Sequence, residues 1–133
     1  MSFSLSPRRR EEEKLSSIRI AKEDALTAVI PALDSFDMAF IDESKLADID
    51  PNWVNGMKGI QSQLLGTLLD HGVRQVNPIG ENFDPTVHDS VKTEETDDER
   101  KDGEIVEVVQ KGYELDGRVL RAAKVVVLTF TRN

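Results

Sequence analysis

The sequence predicts an α+β protein: a long N-terminal helix of the coiled-coil type, a second helix, and a small, mostly antiparallel C-terminal β domain. Three observations carry this. No glycine occurs from Arg8 to Asp42, and apolar residues there recur at helical spacing. A second apolar stripe opens on Asp50-Pro51 and closes on His71-Gly72. From Val73 onward the period shortens and turn residues punctuate Val- and Ile-rich runs.

In the first helix, expected over about residues 8–42, Leu26, Val29, Leu33, Phe36 and Phe40 stand 3, 4, 3 and 4 apart. That is the a/d rhythm of one helix lying along another. Leu15 and Ile18 extend the stripe backward, with Lys22 interrupting it. Pro31 removes one backbone donor and crowds the carbonyl four residues earlier, so a kink is expected there. Residues 43–50 read as a polar connection. Asp50 then caps the second helix, about 51–71, with Pro51 at its first position. Trp53, Met57, Ile60, Leu64 and Leu68 form its stripe, and Gly72 can take the left-handed cap. Gly56, Gly59 and Gly66 each cost up to ~1 kcal/mol relative to alanine, which suggests a close backbone neighbour. An a/d stripe of this length cannot bury itself, so a two-fold homodimer is expected, with the nine residues Leu26, Val29, Leu33, Phe36, Phe40, Met57, Ile60, Leu64 and Leu68 at its seam.

Residues 73–133 are expected to form the β domain. Val73 to Ile79 is a strand candidate followed by turn signals, and Phe83-Asp84-Pro85 is a second turn. Lys92 to Gly103 is rich in Thr, Glu and Asp and reads as a solvated loop. Glu104–Gln110 and Arg118–Phe130 are strand-like, and Asp116-Gly117 between them is a hairpin signal. Residues 1–7 carry no periodic pattern and are expected to be disordered.

Composition narrows the function. The 133-residue chain has a net charge of −8, and no cysteine, which excludes thiolate catalysis and zinc–thiolate sites. With 32% charged and 38% hydrophobic residues, it reads as elongated or partly disordered. No run of 18 apolar residues is present to span a membrane, and no secretory signal opens the chain, so a cytoplasmic protein without membrane attachment is expected. An acidic total argues against nucleic-acid binding. Arg8-Arg9-Arg10 is followed by Glu11-Glu12-Glu13, whose spacing offers ion pairs on one helix.

His88 beside Asp84 and Asp89 invites an acid/base or metal reading, yet His71 is the only other histidine, and a turn-packing role is preferred. The acidic run Glu94, Glu95, Asp97, Asp98, Glu99 lacks the glycine and alternation of a calcium loop. Neither a phosphate-cradling glycine loop nor a nucleophile elbow occurs. No catalytic residue, metal or cofactor is therefore expected. Lys111-Gly112-Tyr113, Arg118 and Arg121 place cations and an aromatic ring around the hairpin, residue types common in interfaces. Binding outranks catalysis.

Several motifs in order resemble the GrpE family, the nucleotide exchange factors of DnaK-type chaperones. They are Phe83-Asp84-Pro85 with His88, Gln110-Lys111-Gly112-Tyr113, Arg118-Val119-Leu120-Arg121, and Ala123, Val125 and Val127. Upstream, Ile30-Pro31-Ala32-Leu33-Asp34-Ser35 and Gly59-Ile60 resemble family helix motifs, and Arg8-Arg9-Arg10 a basic run. The resemblance covers about residues 8–130. Ser90 departs from the family's usual alanine, and only seven residues precede the triple arginine, where a longer stalk is usual.

The resemblance implies a parallel homodimer with a four-helix bundle built from the second helices. One β domain presses on the chaperone's nucleotide-binding domain so that ADP leaves. Carried over by position, Arg118, Val109, Val127, Phe83 and Pro85 would face the chaperone. Gly59 would keep the arrangement competent for binding. A dimeric coiled-coil adaptor without exchange activity is the alternative, and a hydrolase built on His88 is a remoter one.

Overall fold

A computed structural model describes residues 6–132. Helix α1 spans Pro7–Thr27, α2 Ile30–Phe40, α3 Glu43–Leu46 and α4 Pro51–Asp70. The first helix starts one residue earlier than expected. Pro7 occupies its first turn and the Ser6 hydroxyl accepts from the Arg9 N–H at 3.2 Å. The expected disordered segment 1–7 thus loses Ser6 and Pro7, and residues 1–5 lie outside the described residues. The expected kink is a short break at Ala28 and Val29. Both keep right-handed helical dihedrals, so α2 continues the course of α1. Pro31 offers no N–H to the Thr27 carbonyl, which accounts for the interruption. The polar connection contains the single-turn α3, capped by Asp42, whose carboxylate accepts from the Ser44 and Lys45 N–H groups. Asp50 caps α4 as the sequence indicates, accepting from the Asn52 N–H at 2.9 Å.

Six strands follow: β1 Val73–Val76, β2 His88–Thr96, β3 Ile105–Gln110, β4 Gly112–Leu115, β5 Arg118–Arg121 and β6 Ala123–Phe130. They form two three-stranded sheets, ordered β1-β4-β5 and β2-β6-β3. Every pairing is antiparallel except β2 with β6, which is parallel. This corrects the reading of Lys92–Gly103 as a loop. Its first part, through Thr96, is an edge strand, and residues 99–101 form a 3-10 turn. Apart from its two ends β2 is exposed along its length, so neither face required apolar residues. The β4–β5 hairpin closes on Asp116 and Gly117, with φ of 51° and 84°. Two successive positive φ angles are the mark of a type I′ turn, as the Asp-Gly pair indicates.

Two cores result. One joins Ile30 and Leu33 of α2, Leu68 of α4, Val73 of β1, and Tyr113 and Leu115 of β4, with Leu26, Val29 and Leu64 packed at its margin. The second lies within the other sheet and holds Ile105, Ala123, Val125 and Val127, with Phe83 and Val108 against it. Leu33 is 0% exposed and Leu68 5%. These two residues of the expected dimer seam are therefore interior to one chain, because periodicity identifies a covered stripe without saying what covers it. Gly56, Gly59 and Gly66 have no atom within 4 Å of a built Cβ, so the close neighbour they suggest is not supplied by the chain itself. Leu15, Ile18, Trp53 and Ile60 also remain more than half exposed.

Gly112 shows where the two sheets are pressed together. A Cβ there would stand 2.8 Å from the Ala123 nitrogen and 3.0 Å from the Arg121 carbonyl oxygen, both backbone atoms. Gly112→Ala is expected to destabilise the chain by about 1–3 kcal/mol through overpacking, read as a lower urea midpoint. An unchanged midpoint would mean that the strands separate easily here.

Candidate functional site

The β4–β5 hairpin presents Arg118 at its tip, half-exposed, with Nη2 3.1 Å from the Glu23 carboxylate of α1. The long helix thus supplies this arginine with an ion-pair partner. Val109 on β3 is 54% exposed. Pro85 is exposed on the turn before β2, and Phe83 is half-buried against the second core. Val127 lies in that same core at 7% exposure. It backs the surface from beneath instead of facing outward, since it packs with Ile105, Ala123 and Val125. Gly59 is exposed on α4. Phe83 and Val127 are therefore brought together, whereas Arg118 belongs to the other sheet and Gly59 to the helices.

The segment around His88 is a self-closed turn. The Asp84 N–H donates to His88 Nδ1 at 3.0 Å, and the Asp84 carbonyl accepts from the Val87 and His88 N–H groups. The Asp84 carboxylate accepts from the Thr86 hydroxyl at 2.7 Å and from its N–H at 3.0 Å. Those two bonds, the hydroxyl's foremost, hold the Asp84 carboxyl below the usual range, with the neighbouring His88 adding a smaller effect. The imidazole also packs near Phe83, with ring centroids 6.1 Å apart. His88 Nδ1 is occupied by the Asp84 backbone N–H and Asp84 Oδ1 by Thr86. No hydrogen bond joins the carboxylate to the imidazole, so the pair is not arranged as an acid and its base. Among the described residues, no group of three or more His, Asp or Glu is placed to hold a metal ion.

Behind the hairpin lies a polar network that the residue pattern did not reveal. Arg121 grips Asp34 of α2 in a two-pronged pair, Nη1 to Oδ2 at 2.5 Å and Nη2 to Oδ1 at 2.7 Å. Its Nη2 also donates to the Lys111 carbonyl, and its guanidinium lies 5.3 Å from the Tyr113 ring centroid. One helical turn on, Asp37 accepts from Lys111 Nζ at 3.1 Å and from Gln61 of α4 at 2.9 Å. Gln110 reaches Asp34 at 3.4 Å. Asp34 and Asp37 stand three apart beside the apolar stripe. The sequence shows that i, i+3 acidic pair and the cations Lys111 and Arg121, but nothing in it pairs them across 74 to 87 positions. Next to it opens a cleft of about 560 Å³ bordered by Met38, Ile41, Lys58 and Val109.

Comparison with known proteins places these features in a family context. A family model described as GrpE matches residues 2–129. A protein named GrpE from Pediococcus pentosaceus is 37% identical over 120 residues, 90% of this chain and 61% of the relative. Its namesake from Limosilactobacillus reuteri is 35% identical over 119 residues, 87% and 60% of the two chains. That from Borreliella afzelii is 37% identical over 122 residues, 90% and 64%. The chain thus spans less than two-thirds of the length of these relatives. No described helix is long and apolar enough to cross a membrane.

Burial pushes the Tyr113 phenol up, aided by the Asp37 and Asp34 carboxylates and opposed by the hydrogen bond that Gln75 donates to its oxygen at 2.9 Å. With the folded value raised above 10.0, this phenol's contribution to stability is complete below the unfolded value. It is lost as pH rises through the folded one. Tyr113 is the chain's single tyrosine, so phenolate absorbance reads it alone. The midpoint is expected above 10.0 in the folded chain and back near it in urea; equal midpoints would mean an open ring.

Proposed function

The chain belongs to the GrpE family, and on that premise we propose that it is the nucleotide exchange factor of a DnaK-type chaperone. As a homodimer it binds the chaperone's nucleotide-binding domain, opens the cleft and accelerates ADP release, serving protein folding and the stress response in the cytoplasm. The observation that carries this reading is the arginine-tipped hairpin. Arg118 is half-exposed and held by Glu23, on a β unit fixed to the helices through Asp34 and Arg121. Val109, Pro85 and Phe83 extend the chaperone-facing surface, with Val127 supporting it from within.

The mechanism involves differential binding and no bond chemistry. A factor that expels nucleotide must hold the open chaperone more tightly than the closed one. Carrying a 1:99 equilibrium to 99:1 takes a preference of ~10⁴-fold, about 5.5 kcal/mol. Reciprocity then requires bound nucleotide to loosen the factor, so ATP dissociates the complex. Arg118, paired with Glu23 in the free chain, is the group that makes this differential contact.

The homodimer reading draws on apolar surface that one chain leaves uncovered. Leu15 and Ile18 on α1 and Trp53 and Ile60 on α4 are each at least 52% exposed, and the open glycines of α4 leave room for a second helix to approach closely. Of the expected seam, Ile60 is exposed; Phe36, Phe40 and Met57 are half-buried, as are Leu26, Val29 and Leu64, which pack at the margin of the chain's own core.

Two measurements test these points. In stopped-flow release of a fluorescent ADP analogue from a DnaK-type chaperone, the chain is expected to accelerate release. Arg118→Ala should lower the acceleration about tenfold, the loss expected of an interface anchor worth more than ~1 kcal/mol. No acceleration, together with no capture of the chaperone in a pull-down, would favour the dimeric adaptor; an Arg118→Ala variant as active as the parent would remove that arginine from the site. In sedimentation, Ile60→Asp is expected to yield folded monomer, whereas Leu68→Asp should unfold the chain by placing a charge in its own core. A stable Ile60→Asp dimer would relocate the seam.

A further inference from the structure

We infer that Asp34, with Asp37 beside it, is a positioning residue that sets the angle at which the β domain is presented by the helices. Neither residue belongs to the proposed contact surface. The inference deepens the exchange reading and rests on it only for its kinetic arm.

The argument starts from where Arg121 sits. It ends β5, and only Ala122 separates it from β6, so its guanidinium lies where the chain passes from one sheet to the other. Gly112, the first residue of β4, is pressed against the same crossover. A group held at this point holds both sheets at once. Asp34 holds it through two parallel bonds with a planar guanidinium, which restrict rotation as well as distance.

Asp37 adds a second attachment at Lys111, on the link between β3 and β4, and through Gln61 it ties α4 to the same point. One face of α2 thus grips the β domain on both sides of Gly112. Both members of the Asp34–Arg121 pair have side chains only 24% exposed, and the Arg121 Nε is buried without a partner. Losing Asp34 would strand a largely desolvated cation, so the pair has no comfortable half-formed state.

The apolar contacts beneath, Leu33 and Ile30 against Tyr113 and Leu115, hold the domain down without fixing its direction, since hydrophobic contact is non-directional. The directional part of the attachment is the carboxylate pair, joined at the hairpin tip by the more exposed Glu23–Arg118 contact. A displaced β domain would carry Arg118 away from its place while leaving every proposed contact residue intact.

The chain has no cysteine, so spin labels can be placed at will. Gln63→Cys on α4 and Thr93→Cys on β2, both exposed, would report the distance between helices and sheet. Labelled chain is diluted into unlabelled chain so that only pairs within one chain are read. The parent is expected to give one narrow distance distribution and Asp34→Asn, which keeps shape and removes charge, a broad one with helical circular dichroism retained. The swap of Asp34→Arg with Arg121→Asp should narrow it again. An unchanged distribution in Asp34→Asn overturns the inference. If Asp34→Asn loses its helical signal, the swap decides: a narrow distribution supports the pair and a broad one refutes it.

The kinetic arm uses the same variants on a DnaK-type chaperone. The maximal ADP-release rate at saturating factor is expected to fall on the order of tenfold in Asp34→Asn, since misplacing a positioned group by ~1 Å can cost ~10²-fold, and to recover in the swap. An unchanged maximal rate in Asp34→Asn would overturn the positioning role. If the parent itself gives no acceleration, the exchange reading falls and the distance measurement alone decides the role of Asp34.

Discussion

The pairing of Arg121 with Asp34 is the interaction on which the arrangement of the two halves depends. It joins residues 87 positions apart, one on α2 and one at the crossover between sheets. Both side chains are about three-quarters shielded from water. In that setting a charge-assisted, two-pronged pair is worth about 1.5–3 kcal/mol per hydrogen bond to a charged group, while an exposed pair such as Arg8–Glu12 contributes ~0.3–0.5 kcal/mol. Apolar packing of Leu33, Leu68, Tyr113 and Leu115 supplies most of the attraction. The ion pair supplies the geometry.

The break at Ala28–Val29 follows from the same requirement. From Ile30 onward, Ile30 and Leu33 enter the shared core while Asp34 and Asp37 meet the β domain. Upstream, α1 has no buried residue and touches the β unit through Glu23 and Arg118. One proline therefore divides a nominally continuous helix into an exposed rod and a docked segment. The missing Pro31 N–H releases the Thr27 carbonyl, and the chain can adjust its direction there at the cost of one helical hydrogen bond.

The β region illustrates how far an exposed strand can depart from its expected composition. β2 carries Lys92, Glu94 and Glu95 because, except at its ends, solvent reaches both its faces. Its one partner strand is β6, whose Val125, Val126 and Val127 are buried. Charges along an outer strand also discourage pairing with another chain. The acidic residues that resemble a solvated loop are in part the protected edge of a sheet.

The sequence by itself determined the elements whose causes are local. Asp50-Pro51 starts α4 because a carboxylate cap and a fixed φ act within one turn, and Asp116-Gly117 closes the hairpin because both positions require positive φ. The a/d spacing marked the apolar face of both helices, and the ordered motifs from Ile30 to Val127 marked the family. Tertiary structure alone decided what covers each face. Leu33 and Leu68 follow the same rhythm as Ile60, yet the first two are core and the last is open. Nor could spacing reveal that Asp34 answers Arg121, that Glu23 answers Arg118, or that β2 pairs in parallel with β6. Periodicity records only that a face is apolar or a residue charged. The partner is set by the three-dimensional path that brings distant positions within a few ångströms.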